Sequence, residues 1–153
     1  MVHILPTVIA TILFPKLSAM PNIREKWDFS KSTTLWVGSM MAIVTSCAAL
    51  LANPLVGLLF GKAFIPAVPA FMWLLPGIFM LSINTIYMNY FASIGMPSVT
   101  VYSSGIAAIV NILLNLRLIP WLGIVGASTA SVLSYGLMLG ISLVHILSSK
   151  RYS

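Results

Sequence analysis

The chain has 153 residues, of which 59% are hydrophobic and only 7% charged, and its mean hydropathy is +1.04. An ordinary soluble domain carries about a quarter of its residues as charges, so that class is excluded. Eight Lys and Arg against two acids give a formal net charge of +6, but the cations stand between long apolar runs. That placement orients helices against anionic headgroups, and it points to membrane lipids rather than nucleic acid as partners.

The gaps between charges mark the membrane spans. No charged residue occurs in 32–61, 63–116 or 118–149. A hydrocarbon core takes about 20 helical residues, so the outer gaps hold one helix each and the middle gap holds two. The two are joined at Ser93-Ile94-Gly95-Met96-Pro97, where Gly and Pro interrupt the pattern. With the opening apolar run, the expectation is an all-α, polytopic membrane bundle: a single transmembrane domain over 1–153. Its five helices fall at roughly 2–20, 33–60, 66–92, 98–117 and 121–148. The runs lack the polar/apolar alternation of a membrane β-barrel.

The first helix contains Pro6 and Pro15, each expected to bend it. It lacks the basic lead and cleavage site of a signal peptide. PNIREKWDFSKS follows, the strongly polar segment of the chain, and reads as a short stretch lying at the cytoplasmic interface. Ser30, Ser32 and Thr33 then offer N-caps for the second helix. In that helix Cys47 is expected to be a small buried hydrophobe, and Pro54 to cause a bend. Phe60, Phe64 and Phe71 fit an aromatic belt at the opposite face.

The third helix is the most polar. After Pro76-Gly77 it carries Ser82, Asn84, Thr85, Tyr87, Asn89 and Tyr90. Asn84 and Tyr87, three apart, share a face; they either line a wet cavity or hydrogen-bond between helices. The fourth helix places Asn111 and Asn115 one turn apart, with Arg117 beyond them to snorkel to headgroups or meet an anionic substrate. Leu118-Ile119-Pro120-Trp121 reads as a corner that no helix crosses unbroken. Gly126, Ala130 and Ser134, then Gly136 and Gly140, repeat every fourth residue, a small-residue spacing that lets another helix approach closely.

Orientation follows from the cations. Lys16, Arg24, Lys26 and Lys31 share a side with Lys150 and Arg151, whereas Lys62 and Arg117 lie opposite. The first loop and the C-terminus are therefore expected in the cytoplasm. Enzyme readings find no support: His3 and His145 stand apart from any acid or cysteine that would build a triad or metal cluster. No cofactor or metal site is expected.

The order LLPGIF, NYFASIGMP and NILLNLRLIPWLGIVGASTASVLSY resembles the C-terminal half of polysaccharide flippases, closest to the O-antigen and exopolysaccharide (Wzx-type) flippases of the MOP superfamily. The likeness runs from Phe14 to Tyr135, and its strongest motif is LIP-x-x-G-x-x-GA at Leu118 to Ala127. It implies helices 8 to 12 of a two-lobed, MATE-like transporter in the bacterial cytoplasmic membrane. Such a protein moves undecaprenyl-pyrophosphate-linked oligosaccharide between leaflets by alternating access, for cell-surface polysaccharide biosynthesis. Alternatives are the C-terminal part of a MATE-type cation-coupled drug exporter and a small structural membrane subunit. The first lobe is absent, and no Asp or Glu lies in any expected span to carry a coupling ion. The substrate-pathway candidates are Asn84, Tyr87, Asn111, Asn115 and Arg117.

Overall fold

The computed structural model describes residues 13–148, and the regular structure among them is all helical. Residues 13–19 are helical (α1). They are followed by α2 (Ile23–Leu50), α3 (Ala52–Leu59), a 3-10 turn (Lys62–Ala67), α4 (Val68–Ser93), α5 (Pro97–Leu122) and α6 (Ile124–Ser148). Four helical segments are long and apolar enough to cross a membrane: Ile23–Leu50, Lys62–Ser93, Pro97–Leu122 and Ile124–Ser148. Of the expected first span at 2–20, most lies outside the described residues, as does the bend expected at Pro6.

The α4–α5 break falls where its residues require it. Gly95 adopts a left-handed φ of 76°, its N–H bonds to the Ala92 carbonyl, and the Met96 N–H bonds back to Phe91 at 2.9 Å. These two bonds close α4 with a Schellman motif, and Pro97 opens α5.

At five places the structure departs from the sequence reading. The polar segment is not a separate stretch ahead of the second helix but its first turns, since α2 starts directly after Pro21-Asn22. Its residues are adequate helix formers, and Asp28 and Lys31 pair at i, i+3 across 2.8 Å. Ser30, Ser32 and Thr33 are thus interior rather than capping; Thr33 Oγ1 donates to the Phe29 carbonyl one turn back. The two acids consequently stand on a helix, though on its exposed polar end.

Pro120 does not end α5, which continues to Leu122 before turning at Gly123. A proline so near the C-terminus deprives only the Leu116 carbonyl of a partner, and the Gly123 N–H still reaches Ile119 at 2.8 Å. The bend at Pro54 appears as a break at Leu51, between α2 and α3, because the proline ring displaces the carbonyl four residues earlier. Cys47 is exposed rather than buried, since α2 packs through Lys26, Ser30 and Met41 and Cys47 lies off that face. In the aromatic belt, Phe60 and Phe64 are exposed, but Phe71 packs inward against Ala52, Val56 and Val68.

The bundle is built around α4 and α6. They run parallel: Gly77 lies against Val132 and Tyr135, Asn84 against Ser142, and Phe91 against His145. α5 folds back antiparallel on α6, from Leu118 beside Gly126 to Tyr102 beside His145. α2 returns along α4, with Trp27 stacked on Tyr87 at 6.5 Å between ring centroids. On α6 the buried positions Gly126, Ala130, Ser134, Met138, Ser142 and Ile146 recur every fourth residue. A Cβ at Gly126 would stand 2.6 Å from the Leu118 carbonyl carbon, so the hairpin closes only over a glycine.

Candidate functional site

Three polar clusters sit in this apolar frame. The first is the cation-rich end, where α2 begins and α4 ends. Lys26 is 9% exposed, and its Nζ donates to the Ser93 carbonyl at 2.7 Å. That carbonyl belongs to the last turn of α4, which has no helical partner for it, so the ammonium caps α4 and opposes its negative dipole end. Lys16 Nζ lies 4.6 Å from the centre of the Phe29 ring, and Lys31 Nζ 5.5 Å from that of Trp27. Cations that the sequence marks only as orientation signals therefore also tie α1, α2 and α4 together.

The second cluster is the α4–α6 seam. Asn84 is fully buried, and its Oδ1 accepts from Ser142 Oγ at 2.8 Å. Its Nδ2 makes no hydrogen bond, which in an apolar interior leaves a donor uncompensated. Tyr87, buried one turn on, packs against Trp27. Most of the other polar groups of α4 bond to their own helix: Ser82 to the Ile78 carbonyl, Thr85 to Leu81, and Asn89 Nδ2 to Thr85, each at 2.8 Å. Asn84 and Tyr87 are thus placed in the packing between helices, and neither lines the grooves that follow.

The third cluster is the α5–α6 hairpin. Asn111 lines a groove of about 230 Å³ between the two helices, together with Ser104, Ser131, Ser134 and Tyr135. Asn115 Nδ2 donates to both the backbone carbonyl and Oδ1 of Asn111, each at 2.9 Å, which fixes the Asn111 amide with its own NH2 still available. Asn115 also borders a separate, more apolar surface groove with Ile112 and Ile119. Arg117 is exposed beside Trp121 at the far end of the bundle.

The five sequence candidates therefore do not converge. Asn111 and Asn115 are coupled, Asn84 is bonded to α6 on another face, and Arg117 stands at the surface. Ser104, Ser131 and Tyr135 were missed, although their spacing carries the signal: Ser104 lies seven residues before Asn111, and Tyr135 four after Ser131, so each pair shares a helix face. Uncharged amides and hydroxyls grouped in this way at mid-span can hydrogen-bond neutral polar groups such as sugar hydroxyls.

No family model and no solved structure matches the chain. It is similar to an uncharacterized membrane protein of Methanocaldococcus jannaschii, with 30% identity over 139 residues; the match covers 85% of this chain and 26% of that protein. The chain thus spans about a quarter of the length of the curated relative it matches.

Proposed function

We propose that this membrane protein forms part of a polysaccharide flippase of the MOP superfamily, contributing helices from the second of two lobes to a path for a lipid-linked oligosaccharide. One feature carries the reading. The hairpin that bears the family-like pattern at Leu118 to Ala127 is also the place where an anchored asparagine, Asn111, opens onto a groove with four further polar side chains. In this role Asn111, Ser104, Ser131 and Tyr135 would offer neutral hydrogen bonds to sugar hydroxyls. Such contacts hold a glycan weakly enough to release it, and translocation needs no covalent step. The cation-rich end is assigned to the cytoplasm, on the positive-inside count.

The test is transport in vesicles. A fluorescent undecaprenyl-pyrophosphate oligosaccharide should change leaflets when this chain is reconstituted with a first-lobe chain, and not with this chain alone. Asn111→Leu should lower transport more than expression. Flipping by this chain alone, or equal loss of transport and expression in Asn111→Leu, would sink the proposal. A second reading, a structural subunit packing against a partner, draws support from Asn84 and Tyr87, whose side chains are spent on α6 and α2. A MATE-type exporter would be distinguished by a buried carboxylate in the remainder of the transporter.

A further inference from the structure

A second, larger groove runs along α6 beside α5 at the cation-rich end. It encloses about 560 Å³ and is lined by Tyr102, Gly136, Gly140, Ile141, Val144 and His145, with Ser148 at its end. This volume falls within the range of about 300–1,000 Å³ typical of small-molecule sites. Its two glycines differ from those of the helix seams. At Gly77 and Gly126 a Cβ would press on neighbouring atoms at 3.1 Å or less, so internal packing demands the missing side chain. A Cβ at Gly140 would meet nothing within 4 Å, and at Gly136 only the Met80 sulfur at 3.5 Å. Among the described residues, packing within the chain makes no use of this space.

The groove is also graded along its length. Gly136, Gly140, Ile141 and Val144 make an apolar floor and wall, while Tyr102, His145 and Ser148 gather at one end. Tyr102 Oη lies 3.3 Å from His145 Nδ1, and the Phe91 ring, centred 5.5 Å from the imidazole, packs against it edge to face. His145 and Ser148 stand three residues apart on α6, so the imidazole and the hydroxyl share one face at this end of the groove. This polar end coincides with the end of the bundle that holds Lys16, Lys26 and Lys31, and in sequence Lys150 and Arg151 follow Ser148.

We propose that this groove binds one anionic phospholipid of the surrounding bilayer, its tail laid along Gly136 and Gly140 and its phosphate held at His145 and Ser148. A partner helix would bring an apolar face along the whole groove and leave the polar end unmatched. A lipid matches both, because its own polarity changes at headgroup depth and the local charge is positive. The site is separate from the Asn111 groove, and the inference does not rest on the flippase reading.

The experiment is photolabelling of the full 153-residue chain in nanodiscs with phosphatidylglycerol or phosphatidylcholine carrying a diazirine in the tail, mapped by mass spectrometry. Labelling by phosphatidylglycerol should concentrate on Leu137, Ile141 and Val144. It should exceed labelling at Ile109 and Leu113 by about tenfold, the ratio that about 1.4 kcal/mol of preference produces. Gly140→Leu, or Gly136→Ala where the leucine variant fails to insert, should remove that excess. The Tyr102→Phe/His145→Ala pair should abolish the preference for phosphatidylglycerol over phosphatidylcholine while tail labelling persists. Uniform labelling around the bundle, or equal labelling by the two lipids in the wild type, would overturn the proposal. So would a Gly140→Leu chain that keeps its label but loses self-association, since the occupant would then be a second copy.

Discussion

The inner helices α4 and α6 and the outer helices α2 and α5 are similarly hydrophobic yet play opposite parts. Burial in α2 is confined to Lys26, Ser30 and Met41, and in α5 to Val99, Ser103 and Ala107. Their large side chains point outward: Trp36 is 79% exposed and Leu116 72%. In α6 the buried row is instead mostly small or polar, interrupted by Met138 and Ile146, and α4 buries Ser82 and Asn84 beside its aromatics. In water this arrangement would be inverted. In lipid, leucine and tryptophan are already well solvated, so helices associate through close contact of small residues and through hydrogen bonds that hydrocarbon cannot supply.

The most severe way to break the inner set is to spoil its closest approach. Gly126→Val should destabilise the bundle at or above the upper end of the usual overpacking cost of about 1–3 kcal/mol, because the obstacle is the Leu118 backbone rather than a movable side chain. Equilibrium unfolding in mixed micelles would measure it, and a loss below about 1 kcal/mol would show that the hairpin can spread.

Lys26→Met probes the one place, among the described residues, where an outer helix reaches inward with a charge. Loss of its bond to the Ser93 carbonyl should cost about 1.5–3 kcal/mol, the range for a hydrogen bond to a charged group. Amide exchange should then rise first in the last turn of α4; unchanged exchange there would remove the capping role. Smaller still is the seam bond. A double-mutant cycle on Asn84→Leu and Ser142→Ala should yield a coupling of about 0.6 kcal/mol, since Ser142 Oγ also bonds the Met138 carbonyl and is not stranded. A coupling well above that would mean the seam is a specificity lock. The outer face should scarcely respond: Leu113→Ala, at a position 60% exposed to lipid, should stay within about 0.5 kcal/mol. A larger loss there would show that a partner covers α5.

Much of this could be read from the residues. Charge-free gaps mark the spans because hydrocarbon rejects ions at any position along a helix, so four crossing-competent helices are visible without coordinates. The α4–α5 break is likewise local, written in Gly95 and Pro97, and so is the small-residue row of α6 from Gly126 to Ser134.

Tertiary structure decided which face each helix turns inward. Within a uniformly apolar run, no alternation of hydrophobicity distinguishes lipid from protein, so Cys47 could be placed inside when it lies outside. The same blindness hid Lys26: a cation at a membrane edge looks like a headgroup ligand until a helix end, Ser93, is brought beside it. Nor could spacing along one helix reveal that Asn84 is spent on Ser142 while Asn111 remains open to a groove. Those roles depend on which helices are neighbours, and that is settled by packing between residues far apart in the chain.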